Sequence, residues 1–119
     1  MGFNWEKFLD VAEHLRKYSD KEEFQRSAVG RYYYACYLEA RDIYNELIGV
    51  PKGTKIEHWR LIKELRKSRN NSLKEIGNQL KKLFEYRKNA DYDENFIHQN
   101  LEKSKMRSKE IYKLLDEIE

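Results

Sequence analysis

The chain has 119 residues, of which 39% are apolar and 38% charged, with 24 Lys and Arg against 21 Asp and Glu for a net charge of +3. At roughly 100 to 200 residues per domain this is a single domain, and such a charged composition suits a thin core beneath a long solvated surface. One proline and five glycines are too few for the turns of a sandwich or barrel, no run approaches the ~18 apolar residues of a membrane span, and one cysteine excludes a disulfide framework or a cysteine zinc site.

The first periodic segment runs from about Trp5 to Tyr18, with Asn4 as N-cap and Trp5, Phe8, Ala12 and Leu15 along one side. Ser19 with Glu22 reads as a capping box opening a second helix, uninterrupted until Gly49 and Pro51. At 1.5 Å per residue, about 28 residues make a rod of roughly 42 Å. Val29, Tyr33, Cys36, Ala40, Ile43 and Leu47 alternate in steps of 4 and 3, the seam that helices use to pack side by side. Tyr34, Tyr37 and Leu38 lie off that seam, so this helix is expected to be central or to meet a partner chain around Tyr34 and Leu38.

After GVPKGT, Thr54 and Glu57 repeat the capping box and start a shorter helix with Ile56, Trp59 and Ile62. Beyond the break at SRNN, Ser72 and Glu75 make a third box, followed by the seam Leu73, Ile76, Leu80 and Leu83, whose next position is Arg87. The run NADYD interrupts the pattern before a last helix carrying Ile97, Leu101, Ser104, Ser108, Ile111, Leu115 and Ile118. Its two seam serines leave space that the tyrosine-rich middle of the second helix is expected to fill. The sum is an all-α, up-and-down bundle of four main helices plus one short helix, a single domain over residues 1–119. MGFNWEKFLD lacks a signal peptide's apolar core, and a cytoplasmic protein is expected.

Charge is unevenly placed. Residues 1–51 hold 7 basic and 9 acidic side chains, residues 52–90 hold 12 and 4, and residues 91–119 hold 5 and 8. A basic middle third suits phosphates or acidic partners, and equally a solvated face. His14, His58 and His98 are too scattered for a metal motif, and neither metal nor cofactor is expected. GVPKGTK fails the phosphate-loop pattern in spacing and order. Cys36, on the seam, reads as a small buried hydrophobe. Arg87 continues an apolar seam and is expected to be followed at once by a loop containing Asn89, Asp91 and Tyr92, so it either snorkels or pairs with Asp91 or Asp93 at a helix end, or serves a site. Arg31 precedes three tyrosines on which it can stack. Basic residues interleaved with tyrosines also describe a surface for single-stranded RNA, although a helix points neighbouring rings in different directions.

The run SAVGRYYYACYLEARDIY, a Gly/Pro turn, His58, and then LKKLFEYRKNADYD before a final helix resemble the HEPN superfamily, in the branch with R-x-Y-Y-A and R-x-x-A-D-Y motifs. The resemblance covers roughly residues 5–118 and implies a helical homodimer with its polar motif near the dimer cleft. It also implies RNA as substrate or ligand, a toxin or defence role, and a nucleotidyltransferase-type antitoxin as partner. In the ribonucleases of that superfamily four to six residues separate an arginine from a histidine, and the arginine stabilises phosphorane-like charge while the histidine moves the proton. From Arg87 those positions are Tyr92, Asp93 and Glu94, none of them histidine, and ten residues intervene before His98. The expected catalytic candidates are therefore Arg87 with His58 from the neighbouring helix, and the cleft expected to bind RNA or a nucleotide is lined by Arg31, Tyr34, Arg87, Asp91 and Tyr92. Two other readings stand beside it: a non-catalytic protein-interaction module in which Arg87 and Asp91 anchor a loop, and an electrostatic nucleic-acid binder using Lys63, Arg66, Lys67, Arg69, Lys81 and Lys82.

Overall fold

A helix pattern of 3.6 residues per turn with no internal proline produces five helices in the computed structural model, which describes residues 2–118. They are α1 (Lys7–Tyr18), α2 (Glu22–Ile48), α3 (His58–Arg66), α4 (Asn71–Tyr92) and α5 (Gln99–Ile118). The expected all-α bundle of four main helices and one short helix is the fold observed, and among the described residues no helix is long and apolar enough to cross a membrane.

α2 is the central rod. Its 27 residues span about 40 Å at 1.5 Å each, matching the 42 Å long axis of the molecule. It packs on α1, α4 and α5, while α3 packs chiefly on α4. The seam residues Tyr33, Cys36, Ala40 and Ile43 join Ile76, Leu80 and Leu83 of α4, Leu61, Ile62 and Leu65 of α3, and Ile111 and Leu115 of α5 in one core. Each large aliphatic side chain buried there contributes roughly 1.5–3 kcal/mol. Leu47, the last position of that seam, is exposed. The helix stops at Gly49, whose φ of 81° is a left-handed conformation open to glycine, with its N–H reaching back to the Asn45 and Glu46 carbonyls.

The ends of the helices differ from the sequence expectation. None of the three capping boxes forms. Ser19 Oγ accepts from the Lys21 N–H two residues on, and α2 begins only at Glu22. Thr54 stays outside α3 because buried Asn45 donates from Nδ2 to the carbonyls of both Lys52 and Thr54, pinning the turn in a non-helical shape. The cap of α4 is Asn70, which accepts from the Leu73 N–H at 3.0 Å, while Ser72 donates to Glu117 on α5. At the start of the chain, Asn4 accepts from the Glu6 N–H and α1 opens at Lys7, leaving Trp5 in a turn with its Nε1 donating to Asp42. Ile97 precedes α5 and is exposed.

Two close approaches shape the interior. Ser104 and Ser108 are buried as a small-residue stretch of α5, and the Ser108 carbonyl lies 4.0 Å from Sγ of Cys36, within the tyrosine-rich middle of α2. On α4, Gly77 lies directly under α3. A Cβ there would stand 2.8 Å from the Arg66 backbone nitrogen and 2.9 Å from Leu65 Cβ, so only glycine admits α3 at this distance.

Candidate functional site

Arg87 occupies the next seam position after Leu83, between the main core and the smaller buried cluster of Val29, Ala90 and Phe96. Its side chain is 15% exposed, and its guanidinium lies against the rings of Tyr34 (5.4 Å), Tyr92 (5.5 Å) and Tyr33 (6.0 Å). Contrary to the sequence reading, no loop follows Arg87 at once. α4 continues to Tyr92, which puts Asp91 one turn away at i+4, with Oδ2 2.8 Å from Arg87 Nε. The Nε N–H is not aligned with that oxygen, so the contact is an ion pair without a directed hydrogen bond. Burial opposes the charge on Arg87, while Tyr34, Asp91 and Tyr92 favour it and carry its pKa above the usual arginine value.

The extra turn of α4 is held by two residues. Arg26 of α2 donates to the carbonyls of Ala90 (2.9 Å), Asp93 (2.6 Å) and Glu94 (2.8 Å), placing a cation where the helix leaves its last carbonyls unpaired. Its guanidinium also covers the Phe96 ring and pairs with Glu22. Buried Asn89 donates to Asp93 Oδ2 and the Asn95 carbonyl and accepts from the Ile97 N–H. The sequence places Asn89 in a loop; it is helical and locks the loop that follows.

His58, the first residue of α3, is brought to the same place. Its ring stacks on Tyr37 (4.0 Å), Tyr33 (5.5 Å) and Phe84 (5.7 Å), and meets Tyr34 edge-on. Arg87 and His58 thus share Tyr33 and Tyr34 as neighbours. Burial, and then the charge of Arg87, lower the pKa of His58, so the imidazole is neutral at pH 7. Burial pushes the Tyr33 phenol well up, so it keeps its proton. Tyr33 OH and His58 Nδ1 form a short hydrogen bond. When the phenol donates to Nδ1 the imidazole proton sits on Nε2, and when it accepts from Nδ1–H the Nε2 lone pair is left free.

A pH dependence follows. Between the ordinary value of 6.5 and the lower folded value, the unfolded chain binds a proton at His58 that the folded chain refuses. The His58 contribution to stability is therefore complete above pH 6.5 and is lost as pH falls below it. Denaturant melts of wild type and His58→Gln between pH 8 and 5 should converge toward the acid end; parallel curves would remove His58 as the titrating group.

The structure brings Tyr34, His58, Arg87, Asp91 and Tyr92 together. Arg31 is not among them: exposed on α2, it lies over Phe8 of α1 at 5.1 Å. The sequence reading missed Tyr33, Tyr37 and Phe84 as the rings that seat His58, and Arg26 as the clamp. Phe84 precedes Arg87 by one helical turn, a usable signal; nothing near Arg26 in the sequence points to residues more than sixty positions away. Comparison with known proteins finds no matching family model, curated protein or solved structure.

Proposed function

We propose that this chain is a HEPN-like domain that binds RNA or a nucleotide at the Arg87 and His58 cluster. The observation that carries the reading is the Arg87 guanidinium and the His58 imidazole seated on the same tyrosines, beside the 71%-exposed ring of Tyr92. A guanidinium suits phosphate oxygens, and an exposed ring suits a base. Binding is favoured over ribonuclease chemistry because no histidine stands at the superfamily's spacing from Arg87. A homodimer through Tyr34 and Leu38, a toxin or defence role in the cytoplasm and a nucleotidyltransferase-type partner belong to the same proposal on the HEPN resemblance alone.

The test is anisotropy of labelled single-stranded RNA and of a labelled nucleotide with wild type and Arg87→Ala. Loss of one charge-assisted contact set, worth about 1.5–3 kcal/mol, should weaken binding roughly 10- to 100-fold with little change in melting temperature. The interaction-module reading is favoured by the Arg87 and Asp91 ion pair across one turn of α4. It predicts the reverse, an Arg87→Ala variant that unfolds early and a wild type that binds neither probe.

A further inference from the structure

Beside Phe84, whose ring also meets His58, α3 and α4 enclose an open groove of about 570 Å³. Six cations line it: Lys63, Arg66 and Lys67 from the α3 side and Lys74, Lys81 and Lys88 from α4, against the single carboxylate of Glu85. The three α4 lysines are seven residues apart, so they form one row on one face of the helix, about 21 Å long at 1.5 Å per residue. The groove also presents the 57%-exposed Trp59, whose Nε1 already donates to Glu57 at 2.6 Å. With its polar atom engaged, that ring offers its faces.

We propose that this groove binds a single-stranded polynucleotide, with successive phosphates along the lysine row and one base stacked on Trp59. The proposal rests on the nucleic-acid reading above and turns its ligand from a nucleotide into a strand. A row of about 21 Å is longer than the phosphates of one nucleotide can follow, and it ends at Lys88, the residue after Arg87. Stacking on an exposed ring beside a cationic track is how single strands are held without base readout. An acidic amphipathic helix is the other polyanion to consider, but it needs a line of apolar anchors. Here Ile62 is 5% exposed and Lys88 lies over Phe84 at 5.4 Å, leaving Trp59 nearly alone.

The experiment measures binding of fluorescein-labelled ten-nucleotide oligouridylate and oligothymidylate, and of a labelled uridine nucleotide, across a salt series. The proteins are the full chain, Trp59→Ala, the double variant Lys74→Ala/Lys81→Ala, and Arg87→Ala, each checked by thermal melt. Trp59→Ala should weaken oligomer binding about tenfold without changing the salt slope. The lysine pair should weaken it at least as much and flatten the slope of log affinity against log salt by about 1.4. Mononucleotide binding should be unaffected by both. A preference for either oligomer that both groove variants abolish identifies RNA or DNA as the strand and supports the groove. Oligomer binding unchanged in both groove variants overturns the groove even if Arg87→Ala loses it. Loss in the groove variants with Arg87→Ala unaffected sustains the groove and overturns the Arg87 reading. Displacement of the oligomer by polyglutamate as readily as by unlabelled oligomer, with Trp59→Ala neutral, overturns it in favour of an acidic peptide.

Discussion

Replacing Arg26 by alanine is expected to lower the unfolding free energy by about 3 kcal/mol, roughly 10 °C in melting temperature. The guanidinium donates to three carbonyls, of Ala90, Asp93 and Glu94, at the exit of α4, and to one carboxylate, Glu22. With the side chain 21% exposed, water replaces part of what is lost, which keeps the figure well below the sum of four charged hydrogen bonds. Arg26→Lys should recover less than half, because one ammonium cannot span carbonyls that a planar fork reaches together. The damage should be local first. Asp91 and Tyr92 stand on the turn that Arg26 holds, so hydrogen exchange at Asp91–Glu94 should accelerate before the global transition moves. An unchanged denaturation midpoint for Arg26→Ala would mean that α4 ends at Tyr92 without the clamp.

Gly77→Ala should destabilise the fold by about 2 kcal/mol although alanine is the better helix former. A glycine inside a helix ordinarily costs up to ~1 kcal/mol relative to alanine, so replacing it where space is open stabilises. Here the new methyl would lie 2.8 Å from the backbone nitrogen of Arg66, which cannot swing away as a side chain can. α3 must lift from α4, and overpacking of this kind costs roughly 1–3 kcal/mol. Because α3 carries His58 at its start and Trp59, Lys63 and Arg66 along its length, the displacement reaches both the imidazole and the groove. Equilibrium denaturation of wild type and Gly77→Ala decides the matter, and a raised midpoint would show that α3 has room.

Most of the helical architecture was legible in the residues. The seams of α2, α4 and α5 repeat with the helical period, and Tyr33, Cys36, Ile76, Leu80, Leu83, Ile111 and Leu115 are buried as their spacing predicts. Arg87 stood out for the same reason, a cation where the pattern asks for an apolar side chain. The helix ends were less legible. Ser, Thr and Glu at capping spacing are common in a chain so rich in charge, and only the fold distinguishes Asn70, which caps, from Ser72, which reaches across to α5.

By itself the sequence determined the class of fold, the number and order of its helices, the basic character of the middle third, and the singling out of Arg87. These depend on periodicity and composition, which are carried by residues close together in the chain. The tertiary structure alone decided that His58 shares the rings of Arg87, that Arg31 turns to α1, that Arg26 closes α4 and that six cations of α3 and α4 face one groove. Each of those pairings joins residues on different helices, and which faces meet is set by how the helices pack, here by the clearance that Gly77 allows, rather than by any local repeat.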